Sequence, residues 1–139
     1  MNSKIEAQVK GWLKVFTIDS KGNQRVLYND HNAINNNPGC QIAAHALAGD
    51  PGWSLDKIGA YLATSLVAYT PITNKTYPSG NQLKLLAVFS EASFNSLIDE
   101  LSLEAGGNGK FATVSGLNIT KDNTLKLGVE WTITITKLV

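Results

Sequence analysis

The chain is poor in charge. Of its 139 residues only 17% are Asp, Glu, Lys or Arg, and the formal net charge is +1; ordinary globular chains carry about a quarter. Lys and Arg are spread out, so no basic block exists to neutralise a run of phosphates, and nucleic acid is not an expected partner. No apolar run approaches the ~18 residues of a membrane-spanning helix, so a membrane is not expected either. The start, MNSKIEAQVKGW, lacks the uninterrupted apolar core of a signal peptide. The single cysteine, Cys40, excludes an internal disulfide and a multi-cysteine zinc site.

What fills the sequence is apolar and neutral polar. Hydrophobic residues make up 43%, enough for one domain over 1–139 with a real core. Low charge leaves Asn, Ser, Thr and Gly to cover the surface. That composition is common in β-rich proteins and suits contact with partner subunits.

The clearest element is the last. In TLKLGVEWTITITKLV, Leu125, Leu127, Val129, Trp131, Ile133 and Ile135 share one parity, and Lys126, Gly128, Glu130, Thr132, Thr134 and Thr136 the other. This period-two alternation predicts a half-buried strand, and a one-residue slip would turn its whole apolar set into water. At the other end, AQVKGWLKVFTID (7–19) has apolar residues of both parities. It predicts a strand covered on both faces, or one that bulges near Gly11. DSKGN has turn chemistry, and QRVLY (24–28) returns as the second arm of a hairpin.

Between that arm and the next element lies YNDHNAINNNPGC, with five asparagines in nine positions and His31, Asp30 and Cys40 in the stretch. Asn37 before Pro38 is the order of an N-cap followed by a first helical residue. Cys40, Ala43, Ala44 and Leu47 recur at helical spacing, and Gly49 suits a C-cap, so a half-buried helix is expected over 38–48. Ile34 is expected to pin the turn to the core. Further on, a short strand is expected at Lys57–Leu62, a long excursion without periodicity at 64–82, and renewed β character at 82–94. Residues 95–114 read equally as helix or strand, with turns at GGNG (106–109) and KDN (121–123). The fold expected is mainly β: an antiparallel β-sandwich-like single domain with one short α-helix.

Little of this points to chemistry. His31 and His45 lack metal-ligand spacing, and the bland reading has His31 on a turn backbone and His45 on a helix flank. Cys40 lies near a helix start, where a thiol can be activated, but no glycine elbow or oxyanion signature surrounds it, and a small buried thiol is the default. Glu91, Asp99, Glu100 and Glu104 read as a solvated face. GGNG lacks the lysine and Ser/Thr of a phosphate loop. No enzyme activity, cofactor or metal is therefore expected. The structural or interface candidates are Trp12, Trp53, Trp131, Ile133 and Ile135, with Asn37 and Pro38 at the helix start.

The order of short motifs adds a resemblance. HNAI (31–34), IAAHALAG (42–49), IGAYLATS (58–65), VFSEASF (88–94), IDELSLEAGGNGKFATV (98–114) and ITKDNTLKLGVEWTITIT (119–136) follow one another. This resembles a group of small bacteriophage virion proteins of tails, necks, fibres or heads. They carry an HN-x-I element before a short helix and close on a W-T-I-T strand. The chain departs from the group after IG, where AYLATSLVAYTPITN replaces Gly-Thr-Gly-like residues. The resemblance implies a structural component of the virion, made in the host cytoplasm, with copies of itself and other virion proteins as partners. It implies no catalytic residues. The rival reading is a carbohydrate- or receptor-binding module using Trp53, Tyr69 and Tyr77.

Overall fold

The alternating terminal segment pairs along its whole length with the first one. In a computed structural model, which describes residues 6–138, β1 (Glu6–Ile18) lies antiparallel to β10 (Lys126–Leu138), with Glu6 opposite Leu138 and Ile18 opposite Lys126. The elements between are β2 (Gln24–Ala33), α1 (Gly39–Leu47), β3 (Lys57–Leu62), β4 (Ser65–Thr76), β5 (Gln82–Phe89), β6 (Ser96–Ile98), β7 (Glu100–Glu104), β8 (Lys110–Val114) and β9 (Ile119–Lys121). Eight strands form one antiparallel sheet in the order β2-β1-β10-β5-β4-β3-β7-β8, and β6 and β9 form a separate pair. The sheet curls until its two edges meet at a bridge between Ile34 and Ala112. The result is mainly β with one helix, a nearly closed barrel with sandwich-like halves, as the composition and patterning predict.

Register decides what is inside. Leu13, Trp131 and Leu85 lie abreast on β1, β10 and β5, as do Val15, Val129 and Ala87, and all six are buried. Across the barrel Ile58, Leu103 and Ala112 form one row on β3, β7 and β8, and Ala60, Leu101 and Val114 the next. Interdigitated rows of this kind fill a small barrel without a lumen. Trp131 is the largest of these side chains, and its indole N–H is satisfied by Asn32 Oδ1 at 3.1 Å. Gly11 makes that bond sterically accessible, because a Cβ there would sit 2.5 Å from the same oxygen.

Several expectations change. The bulge of the first hairpin falls between Val15 and Phe16, where β2 carries Leu27 as the extra residue, and not at Gly11. Phe16 points outward yet is buried, because its ring packs against Gly128 on the neighbouring strand, in the space a Cβ there would occupy. The 64–82 excursion is largely strand. The first half of β4 pairs with β3 and its second half with β5, so it turns the corner between the two halves of the sheet. Pro71, which has no N–H to give, sits at that switch, and the hydroxyls of Thr70 and Thr73 bond the carbonyls of Val88 and Leu86 across it. Polar and proline residues that read as loop are what a strand needs where its ladder is interrupted. Residues 96–98 and 100–104 resolve as strands.

The helix also starts later than expected. Asn37 is not its N-cap: the Asn37–Pro38 peptide is cis, Pro38 occupies the cap position without a side-chain cap bond, and Gly39 is the first helical residue. Asn35 is stitched to β8, its N–H to the Phe111 carbonyl at 2.8 Å and its amide to Thr113 Oγ1 at 2.9 Å. Residues 36–38 are therefore spent turning the chain from the seam into the helix. Gly39 then rests against the Phe111 carbonyl, where a Cβ would lie 2.6 Å away. That contact rotates the helix so that Gly39 and Ile42 face inward, while Cys40 is exposed and Leu47 is 87% exposed. Ile34, as expected, packs against the core.

The β6–β9 pair adds Ile98 and Ile119 to the core. Beside it Phe94 meets Phe89 edge to face, with ring centres 5.3 Å apart. Lys121, expected in a turn at 121–123, is the last residue of β9 and is fully buried. Its ammonium donates to the carbonyls of Glu91, Phe94 and Asp122 at 2.6, 2.8 and 3.1 Å and lies over the Phe94 ring. Burial lowers its pKa from the ordinary lysine value, with Asp122 and Glu91 acting in the opposite sense.

Two outcomes test this core. Trp131→Ala should destabilise the fold by about 3–5 kcal/mol in urea denaturation; a variant as stable as the parent would contradict the central place of the indole. Lys121→Met keeps the apolar stem but leaves three carbonyls without their donor. Its expected cost is about 2 kcal/mol, read from the same denaturation curves at neutral pH.

Candidate functional site

Three places bring polar or aromatic side chains together. The first is the outer face of β2, β1 and β10. Even-numbered residues of β1 point outward there, so Gln8, Lys10 and Trp12 line up beside His31 of β2 and Thr134 and Thr136 of β10. They line a groove of about 680 Å³. Trp12 is 45% exposed, and its indole N–H is held by Asn29 Oδ1 at 2.6 Å. His31 stands opposite it, ring centre 6.1 Å away and tilted by 37°. The backbone N–H of His31 donates to Asp30 Oδ1 at 2.7 Å, and its Nδ1 lies 2.9 Å from the same oxygen. Asn32 faces the other way and holds Trp131.

The second is the cap made by α1 and the 50–56 segment. His45 stacks on Trp53 at 4.0 Å and 13°, and its Nδ1 lies 2.7 Å from Asp50 Oδ2. The Asp50 N–H also closes on the His45 carbonyl. The imidazole therefore joins the C-terminal end of the helix to the loop that follows. Pro38, at the start of the helix, lies against Gly109 of the β7–β8 loop, where a Cβ would come within 3.0 Å of its ring.

The third was missed in the sequence. On the outer face of β3, β7 and β4, Glu104 is 4% exposed and not part of a solvated face. Its Oε2 accepts from the hydroxyls of Tyr61 and Ser102, each at 2.5 Å, and its Oε1 from Tyr69 at 3.3 Å. The carboxylate sits directly over Gly59, the residue whose lack of a Cβ leaves room for it. Lys110 lies over the Tyr61 ring and pairs with Glu100 at 2.6 Å, and Lys57 lies over Tyr69. Period-two spacing of Glu100, Ser102 and Glu104 against buried Leu101 and Leu103 was the available signal. Burial, with the bonds from Glu104 and Tyr69, pushes the Tyr61 phenol well above the usual tyrosine range.

The sequence candidates thus separate. Trp12 lines the groove, Trp131 and Ile133 are core, and Ile135 is half exposed at the far end of β10. Trp53 belongs to the helix cap. The aromatic trio Trp53, Tyr69 and Tyr77 shares no ring contact among the described residues: Trp53 is stacked on His45, Tyr69 faces Glu104, and Tyr77 stands 75% exposed after β4. Cys40 is exposed, bonded only weakly to Asn36 Oδ1. No group of three or more His, Cys, Asp or Glu side chains converges among the described residues.

Fold and surface together define a small, nearly closed antiparallel β-barrel with one helical cap and a polar outer face. No family model matches the chain, and no curated protein or solved structure matches it.

The Glu104 network generates a pH prediction. Tyr61 keeps its proton in the fold at pH values where the unfolded chain, titrating near 10, has lost it. Its stabilisation is therefore complete below pH 10 and falls as pH rises beyond that. Tyr61→Phe should cost about 1–3 kcal/mol at neutral pH, and the gap between parent and variant should narrow above pH 10 in denaturant titrations. A gap that stays constant would contradict the arrangement.

Proposed function

We propose that this chain is a non-enzymatic structural component of a bacteriophage particle, associated with the capsid or with the tail or neck. It works by self-association and by docking on other virion proteins. The observation that carries the reading is β2. It is a ten-residue edge strand, the chain meets the opposite edge just beyond its end, at Ile34 and Asn35, and it presents Val26 (50% exposed) and Leu27 (36% exposed) to solvent. Soluble monomers usually blunt such an edge with charge or a bulge, or cover it; Arg25, Asp30 and the bulge at Leu27 do part of that here, yet Val26 and Leu27 still present aliphatic surface between them.

Two further features support the reading. The most deeply buried carboxylate, Glu104, has both oxygens committed to hydroxyls of its own sheet, which suits a rigid wall and not a reacting group. Low charge lets subunits approach closely without desolvating many ions. The resemblance of the motif order to that of small virion proteins points the same way.

Sedimentation velocity over a range of concentrations tests this. The parent chain should form a discrete oligomer, and Val26→Glu with Leu27→Glu should shift it towards monomer without lowering its melting temperature by more than a few degrees. A chain monomeric at every concentration, and absent from particles purified from an expressing host, would overturn the proposal.

A further inference from the structure

We infer that the groove beside Trp12 is a glycan-binding site, in which a pyranose ring stacks on the exposed indole face. This goes beyond the assembly role and does not depend on it.

The geometry is that of a platform and not of a stray surface aromatic. Trp12 cannot swing freely, because its N–H is tied to Asn29 at 2.6 Å. The ring is thus held in place before any ligand arrives, which lowers the ordering cost of binding. His31 forms a tilted second wall. Around the indole the outward side chains are amides, hydroxyls and one ammonium: Gln8, Lys10, Thr134 and Thr136. Among the described residues, of these only Thr134 is engaged by a neighbouring side chain, accepting from Gln82 Nε2 at 3.2 Å. They offer donors and acceptors around one fixed apolar face.

That combination selects the ligand class. A pyranose has a C–H-rich face for an aromatic ring and a rim of hydroxyls for amide and hydroxyl partners. A docking protein would need a desolvated apolar centre, yet apart from Trp12 no large apolar side chain among the described residues points outward in the groove. Nucleic acid would need more than one cation, and among the described residues Lys10 is the only lysine or arginine lining it. The largest cavity among those described is also here, of the size that takes one or two sugar rings.

The test is a glycan array carrying neutral hexose and N-acetylhexosamine oligosaccharides and their uronic- and sialic-acid-bearing counterparts, probed with the full chain. Hits are then titrated while the three indole N–H signals are followed by NMR. Saturable binding that moves the Trp12 signal and leaves that of buried Trp131 in place is expected. Trp12→Ala should weaken it by about ten-fold or more at an unchanged melting temperature, and Trp12→Phe should retain most of it. Asn29→Ala, which frees the ring, should weaken it several-fold. If acidic glycans bind, Lys10→Gln should weaken those alone; if neutral ones bind, it should change little. No saturable signal on the array, or binding that survives Trp12→Ala, overturns the inference. So does a Trp12→Ala variant whose only change is in sedimentation, which would mark the groove as a protein contact.

Discussion

The ladder between β1 and β10 is the constraint on which the rest depends. It joins residues 6–18 to residues 126–138, so the two ends of the described chain meet before the barrel can exist. β2 hangs on one side of this pair and β5 on the other. Its register puts Leu13, Val15, Val129 and Trp131 inside and sends Trp12, Lys14, Glu130 and Thr132 outside. A shift of one residue would bury the charged row and expose the indole of Trp131. The inner face builds the core, and the outer face builds the Trp12 groove. Stability and surface chemistry are set by the same pairing.

Closure follows from the opposite edge. After β2 the asparagine-rich stretch crosses to β8, where Ile34 and Asn35 pair with Ala112 and Phe111. A short amide that bonds both backbone and side chain suits a seam too irregular for a regular ladder. Asn35 bonds the Lys110 carbonyl and the Thr113 hydroxyl, Asn32 holds Trp131, and Asn29 holds Trp12. What looks in the sequence like a collection of ligands is a set of clamps: Asn35 fastens the join to β8, while Asn29 and Asn32 fix indoles of β1 and β10. The helix then lies over the join through Gly39 and Ile42.

Charge is sparse, but it is not idle. Among the described residues the two least exposed ions, Glu104 and Lys121, have no oppositely charged partner bonded to them. Each is instead surrounded by neutral dipoles, hydroxyls around the carboxylate and carbonyls around the ammonium. Dipoles that already point at a charge need no reorganisation to solvate it, and they leave no counter-ion to be desolvated. The lysine ties together the 91–94 turn and the end of β9, and the glutamate ties together β3, β4 and β7. Both act as fasteners between segments that the main ladder does not reach.

Much of this was legible in residue order. Period-two alternation sufficed for β10, since a strand with one wet face writes its parity into the sequence. Turn residues marked the first hairpin, and Lys57–Leu62 was bounded correctly. The corner strand β4 was not legible, because its Pro and Thr residues serve an interrupted ladder and imitate a loop. Nor was the turn at Ala63 and Thr64, which adopts positive φ angles without Gly or Asn. The helix face was misassigned because spacing gives a period, and only the contact of Gly39 with Phe111 sets its phase. By itself the sequence determined the β class, the single helix and the inward row of the last strand, since these rest on local propensity and burial of alternate residues. Tertiary structure alone decided that Asn29 aims Trp12, that Asn32 reaches Trp131, and that Glu104 and Lys121 are buried. Those bonds join residues up to 99 positions apart, and register across strands, not neighbourhood along the chain, brings them together.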